Sequence, residues 1–159
     1  LRQSPKERIA ADAIKAWQLN ATLMALIPLI VTIALFILAN IFTFSYWYAI
    51  GLLALTLVES IVTILIIPKI RWNRWRYQIY DQEIYIQNGI LIVTRTLVPM
   101  IRVQHVDTKQ GPILKRYGLA SLTISTAATT HEIPALLEDE AYALRDQIAE
   151  LARVEQDDV

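Results

Sequence analysis

The chain has no cysteine, so disulfides, thiolate metal sites and cysteine nucleophiles are excluded. Charge is missing as well, and over one long stretch. From Ala16 to Val58 no side chain is charged, and Glu59 alone interrupts the apolar run before Pro68. The only histidines are His105 and His131, and with Asp107 they make no convincing zinc set without a third fixed ligand. No glycine-rich loop is built to cradle phosphate, no nucleophile elbow is present, and no carboxylates pair in a folded cleft. Neither enzymatic chemistry nor a cofactor is expected.

The apolar run is long enough for two membrane crossings, since a bilayer core takes about 20 apolar residues per helix. The first span is expected over residues 19–39, bent at Pro28, and the second over residues 49–67, ending at Pro68-Lys69. Residues 40–48 between them are uncharged and aromatic, which suits one membrane–water interface, and Trp72 and Trp75 are expected to form the opposite belt. The chain opens on Leu1, so a natural N-terminus is expected to be missing, and the first span does not read as a cleavable signal.

Residues 1–18 predict a short amphipathic helix. Ser4 suits the N-cap, Pro5 the first helical position and Glu7 the capping box, and Ile9, Ala13 and Ala16 share a face. Such a helix lies along the membrane surface or is a solvated extension of the first span. The expected organisation is therefore a helix over 1–18, a transmembrane hairpin over 19–68 and a small α+β domain over 69–159.

The net charge of zero conceals an asymmetry: +2 over residues 1–70, +5 over 71–118 and −7 over 119–159. Arg2, Lys6, Arg8 and Lys15 precede the hairpin, and Lys69, Arg71, Arg74 and Arg76 follow it, while its turn carries no base. The positive-inside rule puts both termini and the soluble domain in the cytoplasm.

The soluble part alternates as strands do over residues 75–80 and 83–87. Asn88-Gly89 then signals a hairpin into a strand over 90–97. Another strand begins at Ile101 and slips at His105-Val106 as a bulge would. Gly111-Pro112 to Gly118 predicts one helical turn, residues 119–126 a strand, and residues 129–133 a last strand closed by Pro134. Leu137, Ala141, Leu144, Ile148 and Leu151 form the apolar stripe of a helix over 137–154, with Glu138, Asp139 and Glu140 in its first turn.

Several blocks carry a resemblance. Trp75-Arg76-Tyr77, Val98-Pro99, the run from Arg102 to Asp107, Gln110-Gly111-Pro112, the run from Arg116 to Ala120, and Ile133-Pro134 follow one another at familiar spacing. Together with the two spans, they resemble the bacterial pleckstrin-homology-like membrane proteins of the YdbS-like family. That resemblance implies a strongly bent β-barrel capped by the C-terminal helix. It also implies action beside a larger relative with several such domains, and a link to resistance against membrane-active peptides.

Three groups of residues are candidates for function. Glu59 lies within the second span with Thr56 and Thr63 at helical spacing, an inward polar stripe. It either meets another subunit or an ion path, or is satisfied by Asn20, Thr22 or Thr32 of the first span. Lys69, Arg71, Arg74 and Arg76, with Lys115 and Arg116, either hold anionic headgroups or anchor the chain generically at the surface. Arg102, Gln104, His105 and Asp107 mark a family contact surface or a polar fastening. The sequence thus points to a non-enzymatic, membrane-anchored assembly module, self-associating or paired with a larger relative. Its rival is a sensor of anionic lipid. The basic residues hug the membrane and the C-terminal third is acidic, so nucleic acid is not an expected partner.

Overall fold

A computed structural model describes residues 3–157; Arg2, counted above among the flanking bases, lies outside them. Helix α1 (Ala13–Phe42) and a second continuous helix form the hairpin. The second consists of α2 (Trp47–Ile61), a π-helical segment (Val62–Ile66) and α3 (Ile67–Arg74). Pro68 therefore does not end the second span. Its missing N–H follows directly on the wide π turn, in which Ile67 N donates back to Val62 O, and that widened turn accommodates the proline while the helix continues to Arg74. At the far end, Thr43 takes a left-handed conformation, and the Tyr46 hydroxyl donates to Asn40 Oδ1 at 2.9 Å to close the connection.

The two helices approach closely because their contact faces are small. Thr32 and Ala39 of α1 and Ala49 and Thr56 of α2 are buried, while leucines and isoleucines cover the outer surface. Thr32 and Thr56 donate to their own helices, at Pro28 O and Leu52 O, both at 2.8 Å. At 30 residues α1 is about 45 Å long, well beyond the hydrocarbon thickness of about 30 Å. Its first turns project into the soluble domain, where Ala13 and Ala16 join the core.

That domain has two antiparallel sheets. One contains β1 (Arg76–Ile79), β2 (Glu83–Gly89) and β3 (Val93–Pro99) in sequential order. The other contains β4 (Val103–Lys109), β5 (Leu119–Thr126) and β6 (Thr130–Leu137). A 3-10 turn, Met100–Arg102, links the sheets, and α4 (Pro112–Arg116) sits between β4 and β5. Helix α5 (Glu138–Asp157) packs Ala141, Ile148 and Ala152 into the core, with Leu144 and Leu151 alongside. Leu137 is the exposed last residue of β6 rather than part of this helix. The cap implied by the resemblance is present.

Four further expectations are corrected. The first is the N-terminal helix: residues 4–10 are not helical, and α1 starts only at Ala13. Glu7 exchanges both backbone hydrogen bonds with Tyr77 of β1 at 3.1 Å, and Ala10 N donates to Ala135 O of β6 at 3.1 Å. The segment is a strap that joins the outer edges of the two sheets. Burying Ile9 among the core side chains, with its backbone paired, outweighs the local capping signal at Ser4. The domain is consequently discontinuous, with the hairpin inserted between the strap and β1.

The second correction concerns Trp72 and Trp75, which do not form an interfacial belt. Trp75 is buried in the core, and the Trp72 indole N–H donates to Ile9 O at 3.2 Å and Ala10 O at 3.0 Å, fastening the strap to α3. The third is the β2–β3 turn. Asn88-Gly89 is not its two-residue tip: Asn88 pairs with Thr94 and Gly89 with Val93, leaving residues 90–92 as the loop. A turn on Asn88-Gly89 would invert the faces of β3 and direct Arg95 inward. The observed register instead turns Arg95 outward, where its Nε donates to Gln87 Oε1 at 3.0 Å, and buries Val98 beside Ile84.

The fourth is β6, which runs past Pro134. The pairing with β5 shifts register there, Ala135 adopts a φ of 52°, and its N–H donates to Ser121 Oγ at 3.4 Å. This bulge turns the Ala135 carbonyl toward the strap. The bulge expected at His105-Val106 lies slightly earlier, between Val103 and His105.

Tyr77 sits where the strap meets β1 and α5, and gives an alkaline test of that junction. Burial, followed by the carboxylates of Glu140 and Glu7, pushes its phenol up to about 12. An unfolded tyrosine ionises near pH ~10. A raised folded-state pKa means that this contribution to stability is complete below about pH 10 and is lost as pH rises through about 12. Denaturant unfolding of the full chain in detergent is expected to weaken over that window, and Tyr77→Phe should remove part of the decline. Equal alkaline declines in wild type and Tyr77→Phe would refute this role.

Candidate functional site

The strap closes one side of the barrel; on the other side α5 packs against the start of β4, but no strand is added. Among the described residues no strand pairs with the outer edge of β3 or of β4. The far end of this seam widens into a cavity of about 570 Å³ lined by Leu97, Ile101, Arg102, Gln104, His131 and Gln156, among others. The Gln156 side chain at the end of α5 donates to Val103 O at 3.1 Å, so the cap helix is fastened beside the opening.

The motif residues are gathered here. Arg102 closes the 3-10 turn, and Gln104, His105 and Asp107 follow on β4, all four exposed. His105 Nε2 lies 3.7 Å from Asp107 Oδ2, in solvent. Exposure argues against a buried polar fastening and leaves these side chains free to meet another surface. Arg102, Gln104 and His131 line the cavity, whereas His105 and Asp107 do not. Sequence reasoning missed Leu97, Ile101 and Gln156. Leu97 and Ile101 lie in ordinary apolar stretches, and Gln156 comes from the other end of the domain.

The basic residues fall at the opposite end, where the helices enter. Lys69, Arg71 and Arg74 are on α3 and Arg76 opens β1. The Arg71 guanidinium lies 4.9 Å from the centre of the Trp17 ring, and Arg8 lies 5.0 Å from that of Trp72. These stacked cations brace the junction as well as carrying charge. Burial, then the nearby Arg8, lowers the pKa of Arg76 from the ordinary arginine value. Lys115 and Arg116 come to the same end because α4 packs beside the start of α1, with Ile113 and Leu114 near Trp17 and Asn20. Both basic groups, separated in sequence, thus lie at the end of the domain where the helices enter.

In the membrane part, the inward polar stripe is not formed. Thr56 is buried against α1, Thr63 is half-buried, and Glu59 is exposed on the outer surface of the hairpin. Thr22 and Thr32 donate to Gln18 O and Pro28 O within α1, and Asn20 is itself exposed. Thr63 donates to the backbone carbonyl of Glu59, at 2.9 Å. None of the three residues of the first span reaches the Glu59 carboxylate, which lies at the step from α2 into the π segment.

Two apolar helices leading into and out of a strapped, helix-capped two-sheet barrel define a membrane protein with a pleckstrin-homology-like domain. Residues 14–152 match the bacterial PH domain family, and the chain belongs to it. Over its full length it is 51% identical to UPF0699 transmembrane protein YdbS of Bacillus subtilis (strain 168), and the match spans the whole of that protein too. A second match, 28% identical over 104 residues, is to UPF0699 transmembrane protein YdbT of the same organism; it covers 63% of this chain and 20% of YdbT. No solved structure matches the chain.

Proposed function

We propose that this protein is a non-enzymatic assembly module anchored in the cell membrane with both termini in the cytoplasm, joining a second copy or a larger relative of the same family. The observation that carries the proposal is the open seam. Two strand edges without a partner strand, one bearing the exposed Gln104, His105 and Asp107 just after Arg102, flank a cavity lined by both polar and apolar side chains. Unpaired edges are templates for a partner's strand, and isolated proteins usually blunt or cover them. The partial similarity to YdbT supports a partner built from related domains. Glu59 supplies a second contact in the membrane: a carboxylate on a lipid-facing surface costs about 2.5–3.5 kcal/mol on insertion scales, and a donor on a neighbouring helix would offset that.

The test is co-purification in mild detergent with mass measurement of the complex. Leu97→Lys combined with Gln104→Lys places charge on both edges of the seam and should dissociate the complex while the domain stays folded. Glu59→Leu should keep the protein inserted and weaken the complex. Undiminished assembly of the seam variant would sink the proposed barrel contact. If only Glu59→Leu assembles like wild type, the membrane contact is removed from the proposal.

A second reading, contact with anionic lipid, is favoured by the convergence of Lys115 and Arg116 with the α3 bases. Reversing the charge of these residues should abolish the preference of the reconstituted protein for anionic lipid and leave assembly intact.

A further inference from the structure

The β2–β3 loop presents two large apolar side chains to no protein surface. Leu91 is 92% exposed and Ile92 81%, more than any large apolar side chain on the outside of the hairpin, where the highest value is 77% for Trp47. The shape of the loop is fixed. Gly89 has a φ of 136°, and a Cβ at that position would lie 1.9 Å from Ile92 O, so the backbone closes tightly beneath the loop. The register that buries Val98 and turns Arg95 outward is the same one that pushes Leu91 and Ile92 out.

The direction of the loop follows from pairing. Helix α3 ends at Arg74 and β1 starts at Arg76, with no intervening loop. Arg76 pairs with Gln87, and the Gln87 side-chain amide donates to Arg74 O at 3.3 Å. β1 leads away from the helix end and β2 returns to it, then continues past Gln87 on the side from which α3 arrives. Three or four residues of extended chain beyond Gln87 reach about 10–13 Å. Set alongside a helix rising 1.5 Å per residue, that reach brings the loop back to about the start of α3, near Pro68 and Lys69. Lys69, Arg71 and Arg74 lie along that length of helix, and Arg95 lies on β3 just behind the loop. An apolar tip backed by bases matches the headgroup–acyl boundary, apolar inward and cationic outward.

We propose that Leu91 and Ile92 insert into the bilayer that the hairpin spans, so that the barrel holds the membrane at a third point and is fixed in tilt. The ligand is the phospholipid interface itself, through its acyl region. The proposal rests on the two spans crossing a bilayer and not on the assembly reading, and it stands or falls separately from that reading.

The absence of cysteine makes the test direct. Full-length Leu91→Cys, and separately Ile92→Cys, are labelled with an environment-sensitive fluorophore and reconstituted in lipid nanodiscs at one chain per disc. Ala128→Cys, on the exposed turn between β5 and β6 at the far end of the barrel, is the reference. The tip labels should emit at shorter wavelength and be quenched several-fold by lipids with a quencher high on the acyl chain. They should also resist aqueous iodide, while the Ala128 label behaves in the opposite way. Iodide access at the tip equal to that at position 128 would overturn the proposal. So would protection that appears only with several chains per disc and without lipid quenching, since the tip would then meet another copy of the chain.

Discussion

Ile9→Asp is expected to open the barrel while leaving the hairpin in the membrane. Ile9 is 2% exposed and belongs to the core, although it precedes the first span. An unpaired carboxylate there carries a burial penalty of several kcal/mol. That is comparable with the whole stability of a small domain, about 5–15 kcal/mol. The strap should detach from Tyr77 and Ala135, the Trp72 indole should lose both of its acceptors, and the edges of β1 and β6 should become free. Hydrogen exchange of the full chain in nanodiscs would read this as lost protection in β1, β6 and α5, with α1 and α2 unchanged. Ile9→Val, which removes one methylene, should cost only about 0.5–1.5 kcal/mol. Protection of Ile9→Asp equal to wild type would place this segment outside the domain, as a helix lying on the membrane would be.

The proposed orientation gives an all-or-none result. In cells expressing Thr43→Cys, an impermeant thiol reagent should label the single cysteine without lysis, because in the proposed orientation the connection between the spans is on the outside. Ala128→Cys should label only after lysis. Lys6, Arg8 and Lys15 before the hairpin and Lys69, Arg71, Arg74 and Arg76 after it stand against an uncharged turn, a bias strong enough to set topology. Labelling of Ala128→Cys in intact cells would reverse the assignment, and would put the seam and the loop at residues 90–92 on the outside.

The bases also illustrate what is local and what is not. That α3 carries Lys69, Arg71 and Arg74 is plain in the sequence, as is α4 with Lys115 and Arg116. That the two sets lie at one end of the domain depends on Ile113 and Leu114 packing near Trp17, a contact between segments almost a hundred residues apart. The polar stripe expected on the second span divides for the same reason. Thr56, Glu59 and Thr63 are spaced for one helix face, but the small-residue contact of Ala49 and Thr56 with α1 decides which side faces the neighbour. Thr56 was turned in and Glu59 out.

By itself the sequence determined the two spans, the strand-rich domain with its α5 cap, and the bias of bases toward one side. Each depends on composition or on a periodicity within a single segment, and the motif blocks added the family. Tertiary structure alone decided that residues 4–10 strap the sheets, that Trp72 and Trp75 serve the core, that β3 and β4 leave a seam, and that Leu91 and Ile92 protrude. These outcomes are set by competition between distant partners. A capping box at Ser4 or a turn at Asn88-Gly89 is worth a kcal/mol or so of local preference, about 0.5–2 for a cap. Burying one large apolar side chain is worth about 1.5–3 kcal/mol, and the core wins wherever the two disagree.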